Sequence, residues 1–172
     1  HAVGVMKTYN ALGMRAAGIQ LVGPGDITQD IKLQAMGDSA VGLITAHHYN
    51  ADLDNPANKR LVAAWKQEYG ANSVPDFMGV QGYDGMAAIA HVVRTLSGRI
   101  DAEKAMAALK GWKYADSPRG PIMIDPQTRD IVMNEYLSEL VKVNGRLVQK
   151  NIGVIPAVKD MCKELKEGKC AQ

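Results

Sequence analysis

The sequence has little cysteine, few aromatic side chains and no long apolar run. Its 172 residues include two cysteines, and aromatic residues make up 5% of the total. A helix that spans a bilayer needs about 20 predominantly apolar residues, and no stretch of this sequence reaches that length. Cys162 and Cys170 are too far apart for a CxxC redox or zinc motif, and no other cysteine completes a metal set. Whether these two cysteines form a disulfide stays open at this point.

Motifs typical of common enzyme classes are also missing. The patterns GxSxG, HExxH, GxGxxG and the P-loop do not occur. Gly23-Pro24-Gly25-Asp26 has the position of a phosphate-binding turn, but Pro24 removes a backbone donor and the Walker lysine is absent. Lysines alternate with glutamates and the net charge is +2, unlike the basic stripe of a nucleic-acid binder. We therefore expect no enzymatic activity, cofactor, metal or nucleic-acid partner.

Residues 1–70 alternate between helical and strand-like patterns. Apolar spacing predicts helices over 3–15, 26–36 and 56–70 and buried strands over 19–22 and 41–49. Asp26 and Gln29 fit a capping box that opens the second helix, while Pro56 and Gly70 suit the start and end of the third. The order α-β-α-β-α favours an α/β fold, a parallel sheet with helices on its faces.

The pattern changes after Gly70. Apolar residues recur at intervals of three and four positions over 80–96, which predicts a long helix there. Short strands joined by turns are predicted over 120–154, and Asn144-Gly145 between two apolar runs is a strong hairpin signal. From Ala157 onward the tail is predicted to be helical. The chain is therefore predicted to be α/β first and rich in antiparallel strands later.

The ends of the two predicted strands carry one group of candidate ligand-binding residues. Gly25 and Asp26 follow the first strand, and His47, His48 and Tyr49 end the second. In open α/β sheets, ligands bind beyond the carboxyl ends of the strands, so we expect these residues at one lip of a cleft. The competing interpretation makes Asp26 a helix N-cap, one histidine a buried residue and the other a surface residue.

Tyr83 and Asp84 form the second candidate group. Both are predicted to lie in the first turn of the long helix, where unpaired N–H groups and the helix dipole attract anionic groups. We expect them at the opposite lip of the cleft. The alternative is that Tyr83 begins the buried stripe of the helix and Asp84 only interacts with the dipole.

Several motifs together resemble one family of proteins. They are Gly42–Tyr49, Asn55–Lys59, Gly82–Met86, Ser117–Pro121 and Ile124–Pro126. In their order and spacing they are similar to periplasmic solute-binding proteins of ABC transporters, of the branched-chain amino acid type. The resemblance covers nearly the whole chain.

The resemblance implies a fold of two Rossmann-like lobes, joined by three crossovers, that close on a ligand. It implies that this chain corresponds to the second half of that fold. Residues 1–72 then belong to the second lobe, 73–133 contribute to the first, and 134–172 return to the second lobe and form the tail. It also implies a periplasmic location and a membrane permease as partner.

Individual positions carry further implications of the resemblance. Tyr83 matches an aromatic position that faces the ligand from the first lobe. Gly25 stands where amino-acid-specific members have an acidic residue that binds the ligand's ammonium group. With Asp26 adjacent and the His47-His48-Tyr49 cluster nearby, the sequence resembles members that take up aromatic acids or other small carboxylates. The expected function is binding of a small carboxylate-bearing solute, a branched-chain amino acid or an aromatic acid, by hinge closure.

Three other functions stay open from the sequence. A ligand-sensing receptor domain has the same fold and signals on closure instead of delivering cargo. A fragment without binding activity of its own is a second possibility. The third is an NAD-type enzyme on a Rossmann lobe, which the absent glycine fingerprint disfavours.

Overall fold

The computed structural model of the protein describes residues 1–165. Its α-helices are α1 Ala2–Ala11, α2 Asp30–Met36, α3 Pro56–Tyr69, α4 Phe77–Thr95, α5 Ala102–Leu109 and α6 Met161–Leu165. Its strands are β1 Val22–Pro24, β2 Ile44–His47, β3 Lys113–Tyr114, β4 Ile122–Ile124, β5 Ile131–Val143 and β6 Arg146–Val158. Short 3-10 helices occupy Gly25–Thr28 and Gly37–Ala40. Within residues 1–165, no helix combines the length and the apolar character needed to cross a membrane.

The strands form one six-stranded sheet in the order β1-β2-β5-β4-β3, with β6 paired to β5. The pair β1 and β2 is parallel, whereas the other pairs are antiparallel. The long strand β5 pairs with β4 at its start and with β2 further along. The predicted α/β class and the parallel pairing of the first two strands are confirmed.

Two apolar clusters hold the helices against the sheet. The larger one packs α1 and α2 around Leu43 and Leu140, which have no exposed surface. The smaller one joins Tyr49 and Leu53 to Val80 of α4, and all three are almost fully buried. Burial of such a side chain stabilises the fold by about 1.5–3 kcal/mol. The smaller cluster therefore fixes the start of α4 beside the loop that follows β2.

The hairpin between β5 and β6 is as predicted. Val143 pairs with Arg146, and the two turn residues Asn144 and Gly145 have φ angles of 49° and 81°. Positive φ at both central residues is the requirement of a type I′ turn, which Asn-Gly satisfies better than other residue pairs. The prediction of a β-rich segment over 120–154 is confirmed.

The first strand and the helix after it differ from the prediction. The strand lies at Val22–Pro24 and therefore includes two residues expected to form the turn. β1 is an edge strand, where proline is tolerated because one side of the strand needs no ladder bonds. The predicted capping box is wrong, since Asp26 lies in a 3-10 helix and α2 begins only at Asp30.

The long helix begins earlier than predicted. Asp76 caps α4, and its carboxylate accepts a hydrogen bond of 2.8 Å from the backbone N–H of Gly79. Tyr83 and Asp84 consequently lie in the second turn rather than the first. The unpaired N–H groups of a helix lie in its first turn, which in α4 begins at Phe77. The prediction that such groups lie around Tyr83 and Asp84 is therefore wrong.

The tail is only partly as expected. Strand β6 extends to Val158, and helix α6 covers Met161–Leu165. The possible Cys162–Cys170 disulfide involves Cys170, which lies outside the described residues.

Candidate functional site

Gly25 lies directly against the side chain of His47. Gly25 follows β1, and His47 is the last residue of the neighbouring parallel strand β2. A Cβ atom at Gly25 would lie 2.3 Å from Cβ and 2.5 Å from Cδ2 of His47. These distances are far shorter than real contacts, so any side chain at residue 25 displaces His47. Gly25 thus allows the imidazole to rest against the backbone.

His47 and His48 form an aromatic cluster with Phe77. The ring centroids of His47 and His48 are 4.3 Å apart, and those of His47 and Phe77 are 4.7 Å apart. The rings of His48 and Phe77 meet edge to face at 6.0 Å. Such separations are within the range of favourable aromatic contacts. Because Phe77 is the first residue of α4, the cluster joins the end of β2 to the start of α4.

The hydrogen bonds of the two histidines define how their rings are protonated. Nδ1 of His47 accepts a hydrogen bond of 2.9 Å from the backbone N–H of His48. A neutral imidazole has one donor and one acceptor, so the hydrogen of His47 is on Nε2. Nε2 of His48 lies 3.3 Å from Nε2 of Gln81, an exposed residue of α4. With the Gln81 amide as donor, His48 accepts at Nε2.

Both imidazoles are held in their neutral form. Burial lowers the pKa of His47, and the nearby negative charge of Asp26 opposes that shift. Burial, followed by the neighbouring His47 and Arg119, lowers the pKa of His48 from 6.5 to about 3. Burial disfavours the charged form of an imidazole. The cluster therefore offers uncharged polar groups and aromatic faces.

Within residues 1–165, no three metal-ligating side chains gather at one place.

The lowered pKa of His48 predicts a pH-dependent stability. Because the folded-state pKa is below 6.5, the unfolded chain binds the proton first as the pH falls. Stability is fully present above a pH of about 6.5 and is lost towards 3, by at most about 1.4 kcal/mol per pH unit. We expect His48→Gln to reduce this dependence when urea unfolding is measured between neutral and mildly acidic pH.

The control for this measurement is His91→Gln, since His91 stacks on Trp112 at 5.5 Å and takes no part in the cluster. That variant should keep the wild-type dependence on pH. Equal slopes for wild type and His48→Gln would contradict the prediction.

Tyr49 does not present its hydroxyl group to a ligand. The side chain is 3% exposed, and its hydroxyl donates a hydrogen bond of 2.8 Å to Oδ1 of Asn58. Burial raises the pKa of this phenol. The strand ends at His47, so Tyr49 lies in the following loop and packs against Val80. The ligand role of Tyr49 stays a prediction, and its hydroxyl already has a buried partner in Asn58.

Asp84 is likewise inside the protein rather than at a lip of a cleft. Its Oδ2 accepts a hydrogen bond of 2.7 Å from Nε of Arg119 and one of 3.0 Å from the Ser117 hydroxyl. The side chains of Asp84 and Arg119 are 3% and 4% exposed. Burial raises the pKa of Asp84, and Arg119 opposes that shift. The ligand role of Asp84 stays a prediction, and its carboxylate is buried and paired within the protein.

Tyr83 is 43% exposed and lies on a different side of α4 from Phe77 and Gln81. Its hydroxyl is hydrogen-bonded to that of Tyr114, and burial together with this bond raises the pKa of Tyr114 to about 12. The structure therefore does not bring Tyr83 together with the histidines.

Asp26 is exposed and lies close enough to His47 to affect it electrostatically. Its backbone carbonyl accepts a hydrogen bond of 2.8 Å from Nζ of Lys32.

Of the seven predicted ligand residues, the structure thus places Gly25 and His48 each in contact with His47. Sequence reasoning missed Phe77 and Gln81. A signal for Phe77 existed, since Asp76 is a residue type preferred at helix N-caps, which places Phe77 at the first helical position.

Comparison with known proteins relates the chain to one family. Residues 1–145 match the family described as periplasmic binding protein. The protein named Leu/Ile/Val-binding protein homolog 6 of Brucella suis biovar 1 (strain 1330) is 40% identical over 151 residues. That match covers 87% of this chain and 38% of the Brucella protein.

Solved structures give the same result. The solute binding protein of an ABC transporter from Rhodopseudomonas palustris BisB5, in complex with 3,4-dihydroxy benzoic acid, is 42% identical with a TM-score of 0.84. The match covers 94% of this chain and 44% of that one. The solute binding protein of an ABC transporter from strain HaA2, in complex with p-hydroxybenzoic acid, is 33% identical with a TM-score of 0.83. That match covers 93% of this chain and 43% of the HaA2 protein. The chain spans less than half the length of these proteins.

Proposed function

The chain belongs to the periplasmic binding protein family, and from that premise we propose that it is part of the solute-binding subunit of an ABC importer. Its solute is a small carboxylate-bearing molecule, an aromatic acid rather than a branched-chain amino acid. The subunit acts outside the cytoplasm, passes its solute to a membrane permease and catalyses no reaction. Two similar solute-binding proteins, 42% and 33% identical, were crystallised with hydroxylated benzoic acids, which supports this choice of solute.

The observation that carries the proposal is the cluster of His47, His48 and Phe77 where the end of β2 meets the start of α4. Three rings at one place favour an aromatic solute, because each well-oriented ring pair adds about 0.5–1.5 kcal/mol beyond burial alone. An amino acid instead needs a carboxylate for its ammonium group. Gly25 leaves no space for a side chain beside His47, and Asp84 is already paired with Arg119. The remaining carboxylate near the cluster, Asp26, is exposed, so an ion pair with it would contribute only about 0–1 kcal/mol.

Closure of the site involves the same region of the fold. Besides the ring cluster, Nε2 of Gln29 lies 3.4 Å from Oδ2 of Asp76, the residue that caps α4. Contacts between the segment after β1 and the start of α4 depend on how these two parts are oriented. A solute that contacts both parts binds the closed arrangement more tightly than the open one. This difference in affinity shifts the protein towards the closed arrangement.

A binding experiment on a fusion protein tests this proposal. The first-lobe part of the Rhodopseudomonas palustris BisB5 protein is joined ahead of this chain, which is 42% identical to the corresponding part of that protein. Isothermal titration calorimetry then compares 3,4-dihydroxybenzoate with leucine. We expect the aromatic acid to bind at least about tenfold more tightly, a difference of about 1.4 kcal/mol.

In the same fusion, Phe77→Ala should weaken binding of the aromatic acid by about tenfold, because a ring contact and its burial are lost. The control is Tyr69→Ala, since the ring of Tyr69 is 63% exposed at the end of α3. Preference for leucine, or binding that is unaffected by Phe77→Ala, would contradict the proposal.

A further inference from the structure

His47 carries one hydrogen-bond donor that the described residues leave without an acceptor. Its Nδ1 accepts from the backbone of His48, which puts the ring hydrogen on Nε2. Among the side chains and backbone groups that the structure describes, none accepts a hydrogen bond from that N–H group. The ring is half-buried between Gly25 and Phe77, so the donor is held in a fixed direction by packing.

The surroundings of this donor determine which acceptor it suits. Asp26, next to Gly25, places negative charge near the His47 ring. Like charges repel, so a second negative charge beside His47 is unfavourable. The charged carboxylate of a solute is therefore disfavoured at His47. A hydroxyl group on an aromatic ring is uncharged, accepts the N–H hydrogen bond and has a hydrogen of its own to donate.

The ring that bears such a hydroxyl also fits the site. Phe77 is half-buried and its ring is 4.7 Å from that of His47 at a tilt of 39°, so its exposed part is an aromatic surface beside the donor. Gln81, one helical turn after Phe77, is exposed and is oriented by its contact with His48. The site therefore combines one neutral donor, one aromatic wall and one amide.

We propose that His47 recognises a ring hydroxyl of the solute, with Nε2–H donating to the hydroxyl oxygen while Phe77 contacts the aromatic ring. The carboxylate of the solute then points away from this part of the protein. The inference rests on the proposed binding of aromatic acids and adds which end of the solute this chain contacts. His47 makes the protein selective for hydroxylated over unsubstituted aromatic acids.

Nuclear magnetic resonance of the chain itself tests the inference, because the method detects weak, millimolar binding. The imidazole nitrogens are labelled with 15N, and the chain is titrated with 4-hydroxybenzoate and with benzoate. We expect 4-hydroxybenzoate to shift the Nε2 signal of His47 and to bind about two- to tenfold more tightly, the effect of one net hydrogen bond.

His47→Phe is the decisive variant, because it keeps a ring against Phe77 but has no donor. It should bind the two acids equally, whereas His91→Phe should keep the wild-type preference. If both acids shift backbone signals around Phe77 and wild type shows no preference, the hydroxyl assignment is overturned and aromatic-acid binding stands. A preference that survives in His47→Phe overturns it as well. If neither acid shifts any signal, the hydroxyl assignment is overturned, while the proposed function is decided separately by calorimetry on the fusion protein.

Discussion

Replacing Arg119 by methionine should lower the free energy of unfolding by about 3–5 kcal/mol, because the buried carboxylate of Asp84 then has no counter-charge. Nε of Arg119 lies 2.7 Å from Oδ2 of Asp84, and both side chains are almost fully buried. The other oxygen, Oδ1, is buried and has no hydrogen-bond partner among the described residues. Asp84 thus depends on Arg119 and Ser117 for its compensation. Urea denaturation followed by circular dichroism measures the loss.

An exposed ion pair in the same protein is the matched control. Nη2 of Arg60 contacts the carboxylate of Asp116 at 2.6 Å, but both side chains are largely exposed. Exposed pairs contribute about 0–1 kcal/mol, so Arg60→Met should have little effect. The double variant Asp84→Leu with Arg119→Met should be more stable than Arg119→Met alone, because no buried charge is left unpaired. Similar losses for Arg119→Met and Arg60→Met would contradict the argument.

The buried pair has a consequence for the architecture of the site. It attaches the second turn of α4 to the segment around Ser117, and the hydroxyl of Tyr136 on β5 donates a hydrogen bond of 3.0 Å to the carbonyl of Arg119. α4 is therefore fixed to the sheet at Asp84, two turns after the aromatic cluster at Phe77.

Local signals in the sequence were sufficient for several elements of the fold. Asn144-Gly145 specifies its hairpin because both residues accept positive φ. Pro56 after the capping residue Asn55 likewise specifies the start of α3. The strand near Val22 was placed too early, because Pro24 was interpreted as a turn residue although it lies in an edge strand.

The candidate site was predictable only in part, for a physical reason. Gly25, His47 and His48 follow from the rule that parallel strands end at one edge of a sheet, and this rule needs only local strand assignments. The contact between Arg119 and Asp84 joins residues 35 positions apart, and the contact of His48 with Gln81 spans 33. Such contacts depend on tertiary packing. Asp84 was therefore interpreted as a ligand residue although the fold uses it internally.

Asn58 is the buried polar residue on which the loop after the histidines depends. It is 1% exposed, and its Oδ1 accepts the hydrogen bond from the Tyr49 hydroxyl. Its Nδ2 donates to the carbonyl oxygens of Ala51 and Leu53 at 3.0 and 2.9 Å. A single side chain thus satisfies three polar groups, two of them buried and one half-buried, on the segment that directly follows His48.

Asn58→Ala should therefore lower the free energy of unfolding by about 3 kcal/mol or more, since each buried group left without a partner costs about 1–3 kcal/mol. Asn58→Asp keeps the shape and the acceptor for Tyr49 but cannot donate to the two carbonyls, so it should be destabilising as well. Gln67→Ala, on the exposed side of the same helix, should change stability by no more than about 0.5 kcal/mol. Chemical denaturation of the three variants provides the comparison.

If Asn58→Asp were as stable as wild type, the two carbonyl hydrogen bonds would not carry the effect, and Asn58 would matter only through Tyr49. Because Tyr49 is adjacent to His48, loss of its anchor should also broaden the imidazole signals of His48, which separates loosening of the site from a uniform loss of stability.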